Sequence, residues 1–254
     1  MPDGAHDLAK LAWPDVAALV ARPGGCAAIL PVGATEAHGP HLPLDTDVTI
    51  ALGMARRAAS ALAERGRACV VLPPLAYSVA QFAAPFAGTL SLRPETARAL
   101  LADVLAAAAG AGLSPLAVAN AHLEPAHIET IKAAVEEVRG RCGATVLFPD
   151  VTRRANAQRL TEEFRSGACH AGRYEGSLVM ADDPTAVKDE LRRGLPEVPV
   201  SLVEAIRAGR RDFLQAGGSQ AYFGRPAEAS AAEGQQTFAI LASLLVEAIE
   251  GSTL

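Results

Sequence analysis

The chain reads as an α/β protein, a three-layer α/β/α sandwich formed as a single domain around a mostly parallel central sheet. Apolar runs of four to six residues alternate with helical patterns of 14 or more. That is the rhythm of parallel βαβ units, whose strands are buried on both faces. Hydrophobic residues make up 50% of the chain and aromatics only 4%, so the core must come from Ala, Leu and Val. Such a core suits helices packed on a sheet better than an aromatic-rich β-sandwich. The 254 residues carry no internal repeat, low-complexity tract or linker, which makes 1–254 one domain.

The elements follow in order. Ala27 to Val32 predicts a buried strand, and Asp47 to Arg65 a helix closed by Gly66. Cys69 to Leu72 predicts a second strand, stopped by Pro73 and Pro74, and Glu95 to Ala109 a helix ending before Gly110 and Gly112. Leu116 to Ala119 is the third strand, Ala126 to Arg139 the helix after it, and Thr145 to Phe148 the fourth strand. Residues 149–175 hold a helix-like stretch and then a Gly-containing loop. Glu228 to Ile249 contains a final helix with apolar positions Phe238, Leu241, Leu244, Leu245 and Ile249. Open parallel sheets bind ligands at the carboxyl ends of their strands, so the site belongs there.

Charge and composition exclude several classes. A net charge of −5 and scattered Lys and Arg argue against nucleic acid, and the short pairs Arg192-Arg193 and Arg210-Arg211 read as solvated helix ends. Apolar stretches fall well short of the roughly 20 residues of a membrane span. The N-terminus, Met1-Pro2-Asp3-Gly4, lacks a signal-peptide pattern, which predicts a cytoplasmic protein. The four cysteines show no metal spacing; Cys26 and Cys69 read as buried thiols, while Cys169 precedes His170 in a polar, Gly-rich segment.

Ionisable residues concentrate just after the first and third strands. Four of the six histidines fall in Gly33 to Asp47 and Asn120 to His127. Glu36 and His38 stand two apart, as do His122 and Glu124, and in an extended segment such residues project to one side. If the two strands are neighbours, both pairs face one cavity, and Asp47 at a helix start can turn toward it. Oxygen and imidazole donors suit Zn, Mn or Fe. Three carboxylates (Glu36, Asp47, Glu124) balance two divalent ions better than one, with Asp47 as a bridge. His41 and His127 stay open between surface and supporting roles.

These same residues resemble the creatininase (creatinine amidohydrolase) family. LPVGATEAHGPHLPLDTD, Leu30 to Asp47, and NAHLE, Asn120 to Glu124, are similar to its two ligand segments. GTLSL (Gly88 to Leu92), HAGRYEGS (His170 to Ser177), and YFGRP with Glu233-Gly234 resemble further family elements, so the likeness covers most of the chain. It implies a creatininase-like fold, two metals per chain on Glu36, His38, Asp47, His122 and Glu124, and a homo-oligomer, hexameric or smaller. Two departures stand out. Arg173 occupies a frequent Glu position and Gly176 a usual Thr. Leu123 replaces the tyrosine between the second ligand pair, and Trp13 is the single tryptophan. Creatinine is therefore an unexpected substrate, and Arg173 and Leu123 are candidate substrate contacts.

The expected reaction is hydrolysis of a C–N bond in a small-molecule amide, lactam or formamide. Two metals would ionise a water for attack on the carbonyl and stabilise the oxyanion. His170 is the candidate for protonating the leaving nitrogen, with Glu175 orienting it or supporting a ligand. The alternatives are a peptide-trimming protein or deformylase on the same site, and a non-catalytic, metal-stabilised member of the family.

Overall fold

The computed structural model describes residues 5–252; the Met1 to Gly4 stretch considered above for targeting lies outside them. Five strands form one sheet in the order β1-β3-β2-β4-β5: β1 (Ala5–Asp7), β2 (Cys26–Val32), β3 (Cys69–Val71), β4 (Leu113–Asn120) and β5 (Val146–Leu147). All four pairings are parallel. The helices are α1 (Trp13–Val20), α2 (Thr46–Glu64), α3 (Pro94–Gly110), α4 (Pro125–Cys142), α5 (Arg154–Ala157), α6 (Glu162–Ser166), α7 (Arg173–Asp182), α8 (Asp189–Arg193), α9 (Leu202–Arg207) and α10 (Ala231–Gly251).

The strands divide their side chains by alternation. Ala27 and Ile29 of β2, with Ala117 and Ala119 of β4, pack against α2, α7 and α10 through Ile50, Leu62, Leu178 and Leu245. Ala28, Leu30 and Val32, with Leu116 and Val118, face the opposite layer, where Leu105, Ile131 and Val138 of α3 and α4 cover them. The three-layer α/β/α expectation holds. Each fully buried Leu or Ile contributes about 2 kcal/mol, so these two faces carry most of the fold's stabilisation. A smaller cluster, including Ala37, Leu202, Phe213 and Phe223, lies beneath the loops.

The expected strands and long helices are present, with ends shifted by at most three residues. The helix-like stretch expected within residues 149–175 is present as the short helices α5 and α6, whereas β1, α1 and α7 to α9 were not anticipated. Arg192 corrects the reading of solvated helix ends, because it is buried and donates to Asp189 and to the carbonyls of Pro226 and Ala227.

The site depends on one pairing. β2 and β4 are neighbours, with Leu30 opposite Val118 and Val32 opposite Asn120. Their carboxyl ends are level, so the segments beginning at Gly33 and Ala121 leave the sheet side by side.

Candidate metal centre

Asp47 lies in the first turn of α2 and Glu175 in the first turn of α7, both helices reaching the carboxyl edge of the sheet. Glu36 and His38 occupy the turn after β2, and His122 the turn after β4. A further segment pins these turns. Thr89 Oγ1 accepts from the Ala37 N–H at 3.1 Å, the Leu90 N–H donates to the Thr35 carbonyl at 2.9 Å, and Ser78 Oγ donates to the Gly33 carbonyl at 2.6 Å. The Gly88 to Leu92 strip thus works as a clamp on the loop that carries Glu36 and His38.

Glu36, His38, Asp47, His122, His170 and Glu175 are all buried. Asp47 Oδ1 lies 3.1 Å from His38 Nε2, and Asp47 Oδ2 lies 3.1 Å from His122 Nδ1. Glu36 Oε1 is 3.0 Å from His122 Nδ1, and Glu175 Oε2 is 3.6 Å from His38 Nε2. Two converging donor groups result, Glu36/Asp47/His122 and His38/Asp47/Glu175, and Asp47 belongs to both. A third, Glu36/His38/His170, overlaps them.

Each histidine is oriented by its other ring nitrogen. His38 Nδ1 meets the Glu36 carbonyl at 3.1 Å, His122 Nε2 the Val79 carbonyl at 2.7 Å, and His170 Nε2 the Ala37 carbonyl at 2.9 Å. A ring N–H donated to a carbonyl leaves a lone pair on the inward nitrogen, the tautomer a metal ligand requires. Those lone pairs point at carboxylates, and Glu36 Oε2 has no hydrogen-bond partner in the buried cluster. Such a cluster demands positive charge. Burial opposes ionisation of His38, yet Asp47, Glu175 and Glu36 push its pKa up to about 10. Burial opposes ionisation of Asp47 too, and the neighbouring imidazoles still hold it well below the carboxylate range. Burial, joined by the charges of Asp47 and Glu36, pushes Glu175 up to about 8. The residues therefore fit divalent cations.

The positions differ from the sequence expectations at several residues. Glu124 does not join the converging donors. It is the N-cap of α4, and its Oε2 accepts from the Phe82 N–H at 3.1 Å. Glu175, expected as a supporting group, stands among the donors instead, its Oε2 also accepting from the Ala171 N–H at 2.6 Å. Ala171 adopts φ 51°, a left-handed conformation that costs a non-glycine residue of order 1 kcal/mol and turns the chain between His170 and Glu175.

Arg173 pairs with neither Glu175 nor the cavity. It donates to Glu233 and Glu228 at 3.2 Å each, tying α7 to the start of α10. His127 is buried, its Nε2 meeting Asn120 Oδ1 at 2.9 Å, while Asn120 Nδ2 donates to the His122 carbonyl at 2.7 Å. It therefore supports the His122 turn. His41 is buried and edge-on to Tyr222, outside the cluster. Cys26 and Cys69 are buried, as expected.

A cavity of about 240 Å³ opens onto the cluster. Leu123, Glu124, Cys169 and His170 line it, as do Phe82, Phe164 and Phe213. His170 stacks between His38 and Phe213, with ring centroids 4.4 and 4.3 Å away. Trp13 is 81% exposed and lines a separate apolar groove with Leu8 and Leu72. The aromatic wall thus comes from phenylalanines distant in sequence, which no local motif announced.

The family model described as creatinine amidohydrolase matches residues 9–249. The chain belongs to the creatininase family. This creatininase-family hydrolase is 31% identical over 224 residues to the mycofactocin precursor peptide peptidase of Mycobacterium ulcerans (strain Agy99), covering 83% of this chain and 79% of the relative. It is also 31% identical over 137 residues to the creatinine amidohydrolase of Pseudomonas putida, covering 51% and 50%. Among solved structures, a creatinine amidohydrolase (creatininase) superposes with a TM-score of 0.76 at 23% identity, covering 98% of each chain. A form described as "Creatininase Mn" gives 0.74 at 22%, covering 98% of this chain and 99% of that one. These structural likenesses establish the creatininase fold. No helix among the described residues is long and apolar enough to cross a membrane.

Proposed function

We propose that this chain hydrolyses a C–N bond of an amide, using two divalent ions held by Glu36, His38, Asp47, His122 and Glu175. One observation carries the reading: the two oxygens of Asp47 are divided between His38 and His122, at 3.1 Å each, as a bridging carboxylate requires. Three carboxylates against two divalent cations leave one positive charge, so the count that favoured two metals survives the exchange of Glu124 for Glu175. Zn, Mn and Fe suit this donor set. Bound there, such ions supply Lewis acidity and lower the pKa of water.

The protein's own groups do the rest. Glu124 faces the cavity and one of its oxygens is fixed by the Phe82 N–H. Burial raises its pKa above the ordinary carboxylate value, which suits a group that takes a proton from water and returns it to the leaving nitrogen. Burial and the charge of His38 hold His170 down at about 4, so its imidazole is neutral. With Nε2 occupied by the Ala37 carbonyl, Nδ1 is free to accept a hydrogen bond from substrate. Phe82, Leu123 and Phe213 exclude water and hold an apolar portion of the substrate.

The bond class extends beyond the non-peptide amides, lactams and formamides expected above. Likeness to a mycofactocin precursor peptide peptidase over 79% of that protein's length supports a second reading, in which the scissile bond lies in a peptide. A cytoplasmic location and a homo-oligomer, hexameric or smaller, belong to the same proposal.

Metal analysis combined with turnover tests it. Wild type should bind two equivalents and lose hydrolysis of capped amides and short peptides on chelation. Glu175→Gln should lose about one equivalent, and Glu124→Gln should keep both while losing roughly 100-fold in kcat. Full metal content in Glu175→Gln, or a lost equivalent in Glu124→Gln, would overturn this assignment.

A further inference from the structure

The cavity that opens onto the donor cluster is lined by Glu36, Asp47, Glu124 and Glu175, and among the described residues Arg165 is the one Lys or Arg that lines it. Arg165 belongs to α6 and is exposed. Its guanidinium makes one weak contact, 3.4 Å to the Gln158 carbonyl, and has no carboxylate partner among the described residues. Arg173, the cation suggested by the sequence, is by contrast committed to two carboxylates away from the cavity.

The short helix bearing Arg165 is anchored on both sides of it. Glu163 is buried and accepts from the N–H groups of Tyr174 and Arg225 at 2.6 and 2.7 Å. Phe164 is buried against Tyr174, with ring centroids 4.9 Å apart. Thr161 caps the first turn through the Phe164 N–H. The backbone that carries the guanidinium is thus held in place by buried groups, while the guanidinium spends one donor on the weak Gln158 contact.

The same cavity has apolar walls formed by Phe82, Leu123, Val203, Ile206 and Phe213. A guanidinium with no carboxylate partner at such a surface presents planar donors that match the two oxygens of a carboxylate.

We infer that Arg165 binds a free carboxylate on the substrate, with an apolar portion lying against Phe82 and Phe213 between that carboxylate and the scissile carbonyl. This rests on the hydrolase reading above and adds the substrate's charge to it. It makes Arg165 a specificity-determining residue: it distinguishes an acid from the corresponding neutral amide.

Equilibrium binding to the metal-replete protein separates this inference from the reading beneath it. The probes are N-acetyl-phenylalanine, N-acetyl-phenylalaninamide and phenethyl phosphate. Wild type should bind the acid at least about tenfold more tightly than the amide. Arg165→Gln, an exposed substitution, should keep its metal content and lose that preference. Equal affinity for acid and amide in wild type would overturn the inference. So would a preference that survives Arg165→Gln, since the metals would then be taking the carboxylate. Arg165-dependent binding of the phosphate more tightly than the acid would overturn the choice of carboxylate. Acid preference without hydrolysis of any capped amide would sink the hydrolase reading alone, and hydrolysis without preference would sink this inference alone.

Discussion

Gly33 lies between β2 and the turn that carries Glu36 and His38, and α2 starts against it. A Cβ at this position would come within 2.6 Å of the Val48 nitrogen and 2.9 Å of the Asp47 Cβ. The glycine is therefore a requirement of the bridging carboxylate's position. Gly33→Ala should push Asp47 away from its neighbours and weaken both metal sites, at a cost of roughly 1–3 kcal/mol in stability. Metal titration against circular dichroism checks it: full affinity in the folded variant would show that Asp47 tolerates the shift. Sequence reasoning pointed to Glu36, His38 and His122 because each follows a strand end, where a spacing of two has geometric meaning, and to Asp47 because it opens a helix beside them. Glu124 reaches the same cavity but stands outside the converging donors. The backbone there has already entered the N-cap of α4, at φ −59° and ψ 130°, and the carboxylate turns to the Phe82 N–H. Glu175 could not be assigned from its own segment, since it meets His38 only through the packing of α7.

That packing is decided at the level of helices. α7 presents Glu175 inward, and α10 lies against α7 so closely that a Cβ on Gly234 would strike the Ser177 carbonyl and come within 2.7 Å of the Ala181 Cβ. Ser177 Oγ also accepts from the Ser230 N–H at 2.9 Å, and Arg173 bonds Glu233 across the same seam. The Glu233-Gly234 pair and the His170 to Ser177 signature are thus two sides of one helix contact, although sixty residues apart. Gly234→Ala should separate the helices and move Glu175 from His38. The expected result is a loss of about 1–3 kcal/mol and weaker binding of one metal, the other remaining. Equal weakening of both would mean that the contact supports the whole cluster. The long helices and core strands were readable from periodicity because each has a continuous buried face. β1, α5, α6, α8 and α9 are three to six residues long, too short for a period to register. Of these, α5, α6 and α9 supply Ala157, Phe164, Arg165, Leu202, Val203 and Ile206 to the cavity wall, so much of the substrate-facing half of the site stayed hidden while its metal-facing half was plain.

Across the whole molecule, the donor cluster sits at the junction of both helical layers with the sheet: Asp47 on α2, Glu175 on α7, and His122 between β4 and α4. Three buried carboxylates crowd there with imidazoles whose inward nitrogens face them. Without cations, that arrangement must be held by protons on histidine, at the expense of taking several charges out of water. Cations that bind only the folded chain should consequently stabilise it. At a free concentration 100 times the dissociation constant, one site contributes about 2.7 kcal/mol. For a chain of this length, that corresponds to a rise in Tm of roughly 5–11 °C. Differential scanning calorimetry of metal-loaded and chelated protein should give a difference of this size. Asp47→Asn, which removes the shared charge from both donor groups, should show almost none. A wild-type Tm that ignores chelation would mean the cluster is held by its own hydrogen bonds and protons, and the metal reading would fall with it.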